Sequence, residues 1–323
     1  MISFFAGAIA LATVFLYGCV GEIITEKAGH LNLGIPGIMC VGTAGGCLGV
    51  SLYMNSLADA NSASWFLLVL ISVALAFVFA ALLGGVYGFL TVTLRCNQNI
   101  TGLAVTIFGT GFTQFIMDTY VDRTHFEIAG KLISKGFSFA NKLGWFGEIF
   151  LSHGVLVYLS IIVAAVSAVV LKKTRLGLHL RAVGESPATA DAAGINVTAY
   201  KYGAILVGSG VAGIGGLFYI MDCIKGSWEN ASTIESLGWL SIALVIFTLW
   251  KPHLSIIGSI LFAALYTFAS ATNIFDSESV YSVILNMLPY VITVVVLIIT
   301  SIIDSKENQP PASLGLSYFR EER

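Results

Sequence analysis

The sequence predicts an all-α polytopic membrane protein, and three observations carry that prediction. The chain of 323 residues is 57% hydrophobic and 11% charged, with a mean hydropathy of +0.88, whereas soluble domains carry roughly a quarter charged residues. So few charges cannot cover a soluble globule of this size, and lipid must solvate much of the exterior. The apolar residues also fall into separate runs, two of which, FLLVLISVALAFVFAALL and VLVYLSIIVAAVSAVVL, contain no charge. At about 1.5 Å per helical residue, each crosses most of a roughly 30 Å hydrocarbon layer. Finally, four of the 16 Lys and Arg residues fall in one short loop, KKTRLGLHLR, and three in the C-terminal tail, against Arg123, Lys131, Lys135 and Lys142 in the longest segment on the other side.

Nine membrane segments are expected, at about 2–20, 35–53, 65–94, 101–119, 151–171, 200–221, 236–250, 254–273 and 283–303. The first has the look of a signal peptide, but no Lys or Arg precedes it and the bulky Tyr17 stands where processing needs a small residue. It is read as a span. Before the second lies GEIITEKAGHLNLGIPGIM, too polar to lie deep in lipid, with Glu22, Glu26, Lys27 and Asn32 around Gly29, Gly34 and Gly37. Pro36 suits a helix start because it lacks an N–H that would go unbonded there. This stretch is expected to be a folded turn at the cytoplasmic edge, in which Glu22, Asn32, Gly34 and Gly37 have structural roles. Direct contact of Asn32 with a solute is the alternative, and His30 is read as solvated or hydrogen-bonded.

The second segment is rich in glycine, and the seventh is short and abuts Lys251-Pro252, so the count runs from eight to ten. The pairs Gly42/Gly46, Gly45/Gly49 and Gly84/Gly88 have the small-residue spacing that permits close helix crossings. Residues 120–150 mix charges, glycines and aromatics and are expected to form an amphipathic lobe. Phe126, Phe137, Phe139, Trp145 and Phe146 would sit at headgroup level, or the lobe would meet a soluble partner.

Orientation follows from Lys172, Lys173, Arg175 and Arg181, which belong in the cytoplasm. Nine spans then place the N-terminus outside and the C-terminus inside. Residues 1–305 form a single transmembrane domain, with a cytoplasmic loop at 172–199 and a cytoplasmic tail at 306–323.

Polar groups inside a span need a protein-lined environment. They concentrate in RCNQNITGLAVTIFGTGFTQFIMD, where Asn97 and Asn99 open the segment. Thr106, Thr110 and Gln114 recur there every four residues, which stacks them on one helical face. That face either lines a route for a polar solute or glues helices together. In the 172–199 loop, Ser186 before Pro187 can cap a helix, alanines favour its body and Gly194 stops it. A short, stiff helix results, suited either to fitting a cleft in a motor subunit or to joining two spans.

Several function classes fall away. A net charge of −2 and a pI near 6.2 provide no basic stripe for nucleic acid. Gly208-x-Gly210-x-x-Gly213 lacks the strand-loop-helix context of a dinucleotide site, and no phosphate-loop pattern occurs. The five cysteines show neither metal nor disulfide spacing. No convergent acid, base, metal or nucleophile suggests an enzyme. Asn196-Val-Thr and Asn230-Ala-Ser are formal glycosylation acceptors, without a secretory context.

The stretches 21–39, NQNITGLAVTIFGTGFT at 97–113 and TRLGLHLRAVGESPATADAAGINV at 174–197 resemble the permease subunits of bacterial ABC importers. The likeness is to the branch handling nucleosides, simple sugars and branched-chain amino acids, and the middle stretch looks most like the nucleoside group. The resemblance departs from common members at His30 and around Ile35-Pro36. It implies that the Ser186–Gly194 helix couples to a cytoplasmic ATP-binding subunit through Glu185, Ser186, Pro187, Ala190, Asp191, Ala193 and Gly194. It further implies a second permease subunit, commonly a different chain, and an external substrate-binding lipoprotein. ATP and Mg would be used by the partner ATPase, this chain would bind no cofactor, and the location would be the bacterial plasma membrane. The competing class is an ion-coupled secondary transporter of a small polar solute, which usually needs a mid-membrane ionisable group; the runs above show none well inside them.

Overall fold

The computed structural model describes residues 2–137, 140–271, 287–288, 291–295, 298, 302 and 309–319. The expected ninth segment, 283–303, lies largely outside the described residues, as do Phe139 and the end of the tail. Among the described residues the secondary structure is helical throughout. In chain order the helices are α1 (Ile2–Glu26), α2 (Ile35–Asn55), α3 (Trp65–Gly88), α4 (Gln98–Thr119), α5 (Phe126–Ile133) and α6 (Gly144–Phe150). They continue as α7 (Val155–Lys173), α8 (Arg175–Glu185), α9 (Pro187–Ala192), α10 (Val197–Phe218), α11 (Ala231–Phe247) and α12 (Pro252–Ala271). Six are long and apolar enough to cross a membrane, and α11 with Pro252–Phe268 of α12 adds two shorter apolar helices. The fold is therefore an all-α polytopic membrane protein, with six to eight candidate spans among the described residues.

Burial separates a centre from a rim. The spans α2 and α10 are 89% and 83% buried, whereas α3 and α7 are each 28% buried. Small residues explain the centre. Gly42 of α2 meets Gly213 of α10, Gly21 of α1 meets Gly208, and Gly84 of α3 meets Ser209. The Gly208–Gly216 string is therefore a close-packing surface on which α1, α2 and α3 converge. On the rim, Leu82 of α3 and Ile162 of α7 are exposed, as lipid-facing side chains are. Tyr17 donates a 2.8 Å hydrogen bond from α1 to the Leu156 carbonyl of α7, a tie that contributes about 1 kcal/mol net.

Three expectations need correction. The first span does not stop at residue 20, since α1 continues to Glu26 with Glu22 and Glu26 buried. The Asn32 N–H bonds Glu22 and the Trp250 indole N–H bonds Glu26, so polarity does not end the helix. The basic loop contains α8, whose start Thr174 caps by accepting from the Gly177 N–H. In the 120–150 lobe, Trp145 and Phe146 are exposed, but Phe126 is only 2% exposed, because α5 turns it inward beside the Lys225–Gly226 turn. Both Asn-x-Ser/Thr asparagines are N-caps, Asn196 of α10 and Asn230 of α11.

Candidate functional site

Three groups of residues converge from segments distant in sequence. The first is the polar turn between α1 and α2. Glu22 accepts from the Asn32 N–H at 2.9 Å, and the Asn32 side chain accepts from the Gly34 N–H at 3.0 Å. Gln98 of α4 accepts from the Leu31 N–H, Tyr87 of α3 donates to the Leu31 carbonyl, and Thr106 of α4 donates to the Leu33 carbonyl. Buried peptide groups are costly unless bonded, and here side chains from three helices bond them. Gly37 lets α2 cross α4 closely, because a Cβ there would lie 2.5 Å from the Thr106 Cα. Trp250 donates its indole N–H to Glu26.

The second group is the polar face of α4. Asn97 is exposed and caps the helix by accepting from the Ile100 N–H, and Asn99 is exposed in the first turn. Thr106 faces the polar turn and is buried. Thr110 and Gln114 instead face α11. Thr110 donates to Glu235 at 3.0 Å, and the Gln114 carbonyl oxygen accepts from the Ala231 N–H at 2.9 Å. Trp239, one turn beyond Glu235, donates to the same carboxylate at 3.4 Å. Thr110, Gln114, Glu235 and Trp239 are all half-buried. They present two hydroxyl- or amide-bearing groups, a carboxylate and an indole on one face. At its end Gln114 donates to Asp118, which pairs with Arg123 at 3.7 Å. Sequence reasoning missed Glu235, which lies one residue before the expected seventh segment; the signal was its i,i+4 spacing to Trp239.

The third group is the α8–α9 loop. Ser186 caps α9 by accepting from the Thr189 N–H, Pro187 occupies the first turn and Gly194 takes φ +81°, a left-handed turn suited to glycine. Ala190 is 3% exposed and packs with Val183 and Val197, whereas Ala188, Thr189, Ala192 and Ala193 are exposed. The C-terminal segment 309–319 folds over this loop. The Ala312 N–H donates to Glu185, the Ser313 N–H donates to the Gly184 carbonyl at 3.0 Å, and Tyr318 donates to Asp191 at 2.9 Å.

At the same end, His30 is 1% exposed with neither ring nitrogen hydrogen-bonded among the described residues. Burial, reinforced by the Lys201 ammonium, pushes its pKa down to about 3, which keeps it neutral. On the surface, bonds from Thr124 hold Asp122 below the usual carboxylate range. Among the described residues no group of three or more His, Cys, Asp or Glu side chains could hold a metal ion.

The profile of a family described as "Branched-chain amino acid transport system / permease component" matches residues 4–302. A Haloferax volcanii permease named for glucose is 32% identical over 81% of this chain and 77% of its own length. A nucleoside ABC transporter permease of Lactococcus lactis subsp. cremoris is 29% identical, covering 90% of each chain. A guanosine ABC transporter permease of Bacillus subtilis is 27% identical over 97% of this chain and 95% of its own.

Proposed function

The chain belongs to the branched-chain amino acid transport system permease family, and from that premise we propose that it forms the pathway for a nucleoside or a simple sugar and couples it to a separate ATPase. Membership makes it a membrane permease component of an ABC-type importer and a transport protein, not an enzyme. The observation that carries the solute reading is the Thr110–Glu235 hydrogen bond with Trp239 beside it. A carboxylate accepts from vicinal sugar hydroxyls, and an indole face stacks on a base or a sugar ring. A nucleoside uses both groups, a simple sugar uses the carboxylate and the ring face, and a free branched-chain amino acid would set its own carboxylate against Glu235. The relatives named for nucleosides, guanosine and glucose agree with this class.

In this reading Asn97, Asn99, Thr110 and Gln114 line the route. Thr106 with Glu22, Asn32, Gly34 and Gly37 holds the polar turn against it. The exposed side of α9 enters a cleft of the ATPase, with Ala193 on the contact, Ala190 anchoring the helix from beneath, and Glu185, Ser186, Pro187, Asp191 and Gly194 fixing its shape. ATP and Mg act in that partner. A second permease subunit and an external binding protein complete the importer in a bacterial or archaeal plasma membrane, with the α8–α9 end in the cytoplasm. The tail beyond residue 305 stays on that side.

The test is uptake of radiolabelled nucleosides and sugars into vesicles holding this chain, with and without its ATPase and binding protein. The expected result is ATP-dependent uptake only in the complete mixture, reduced by Thr110→Val with Gln114→Leu. Uptake by this chain alone under an ion gradient would overturn the reading in favour of a secondary transporter using Glu235.

A further inference from the structure

A cavity of about 430 Å³ opens at the α8–α9 end of the bundle, between the end of α3 and the start of α10. Its wall includes His30, Thr91, Arg95, Thr198 and Lys201, which neither the pathway face nor the α9 contact uses, together with Asp191 and Gly194 from the α9 end. We propose that this cavity binds a phosphate group, carried either by inorganic phosphate or by the headgroup of an anionic phospholipid.

Four features of the wall point the same way. Lys201 is only 3% exposed, yet no carboxylate lies within 4 Å of its ammonium among the described residues. A buried cation without a counter-charge is expensive to maintain, and an anion in the cavity would supply one. Arg95 lines the same cavity, and its guanidinium lies 4.8 Å from the Phe319 ring centre, which orients the planar fork. Its backbone has φ 59°, a left-handed conformation that side-chain-bearing residues adopt mainly where the surroundings impose it. The third feature is the first turn of α10, whose Val197 and Thr198 amides have no acceptor within the helix and whose dipole favours negative charge. Asn196 bonds only the Ala199 N–H of that turn. The fourth is His30, a buried neutral imidazole whose two nitrogens are both unbonded among the described residues, and which can donate one hydrogen bond.

One wall residue opposes an anion. Asp191 is also there, but it accepts from the Tyr318 hydroxyl at 2.9 Å. Two cations, a helix N-terminus and an imidazole donor therefore face one occupied carboxylate. That balance suits a phosphate better than a neutral solute or a cation.

The test uses the full chain purified in phosphate-free buffer. One arm titrates inorganic phosphate and follows heat and thermal unfolding. The other reconstitutes the chain in discs of phosphatidylglycerol or of phosphatidylcholine and measures retained phosphatidylglycerol by native mass spectrometry. Lys201→Met and Arg95→Ala are compared with Lys173→Ala, at the same end but outside the cavity. Saturable phosphate binding that Lys201→Met weakens about tenfold or more, the contribution of one charge-assisted hydrogen bond, identifies a free-phosphate site. Phosphatidylglycerol retained by wild type and Lys173→Ala, and lost from Lys201→Met, identifies a lipid site. Arg95→Ala alters the exposed rim, so it carries the test if Lys201→Met does not assemble. Equal responses in all variants, or no response to either probe, would overturn the proposal.

Discussion

Ala190 of α9 and Ala193, the residue at its C-cap, make opposite predictions. Ala190 is 3% exposed against Val183 and Val197, and Ala193, three residues on, is exposed. Ala190→Glu would overpack a filled site, at about 1–3 kcal/mol, and bury a polar group without a partner, at about 1–3 kcal/mol more. A local penalty of about 2–6 kcal/mol exceeds what a short loop helix can absorb, so the 182–200 hairpin should open. Ala193→Glu touches nothing inside this chain and should change stability by less than about 0.5 kcal/mol. Amide hydrogen exchange over residues 182–200 measures the first quantity, and the ratio of ATP hydrolysed to solute imported measures the second. Ala190→Glu should lose protection throughout the hairpin. Ala193→Glu should keep it and yet uncouple hydrolysis from import. Normal coupling in Ala193→Glu refutes α9 as the contact, and unchanged protection in Ala190→Glu refutes its packing.

Three further outcomes follow from geometry elsewhere. Gly37→Ala should lower the unfolding midpoint in detergent by the equivalent of about 1–3 kcal/mol, because its Cβ would lie 2.5 Å from the Thr106 Cα and force α2 from α4; an unchanged midpoint contradicts that crossing. His30 has a folded pKa of about 3 against 6.5 when free, so below pH 6.5 the unfolded chain binds a proton that the folded chain refuses. Stability is complete above pH 6.5 and falls toward pH 3 by at most about 1.4 kcal/mol per pH unit; His30→Leu should flatten that part of the profile, and an unaltered slope contradicts a buried neutral imidazole. In the assembled importer, the pair Thr110→Val and Glu235→Gln should weaken solute affinity non-additively, because the two groups share one hydrogen bond at 3.0 Å; strict additivity of solute titrations would separate them.

The helices were legible where one physical signal dominated. The charge-free runs mark α3 and α7 because no soluble environment accommodates such stretches, and Ser186, Pro187 and Gly194 mark α9 because capping is local chemistry. Legibility failed where burial depends on a partner. Glu22 and Glu26 read as the end of a span, yet Asn32 and Trp250 bond them in the interior and α1 runs on. Phe126 read as an interfacial aromatic, yet the Lys225–Gly226 turn lies over it. Helical period alone does not say that Ala190 of α9 points inward and its C-cap Ala193 outward.

By itself the sequence determined the solvent, the helical class, the approximate positions of the segments through α12, and the residues that start and stop α9. These rest on hydropathy, periodicity and backbone sterics, which act over a few consecutive residues. Only the tertiary structure decided which polar groups meet. Thr110 and Glu235 are separated by 125 positions, and His30 and Lys201 share a cavity wall across most of the helices. Contacts of that kind are chosen by which helices fit closely, here through the glycine surfaces of α2 and α10, and no local pattern in the chain encodes the choice.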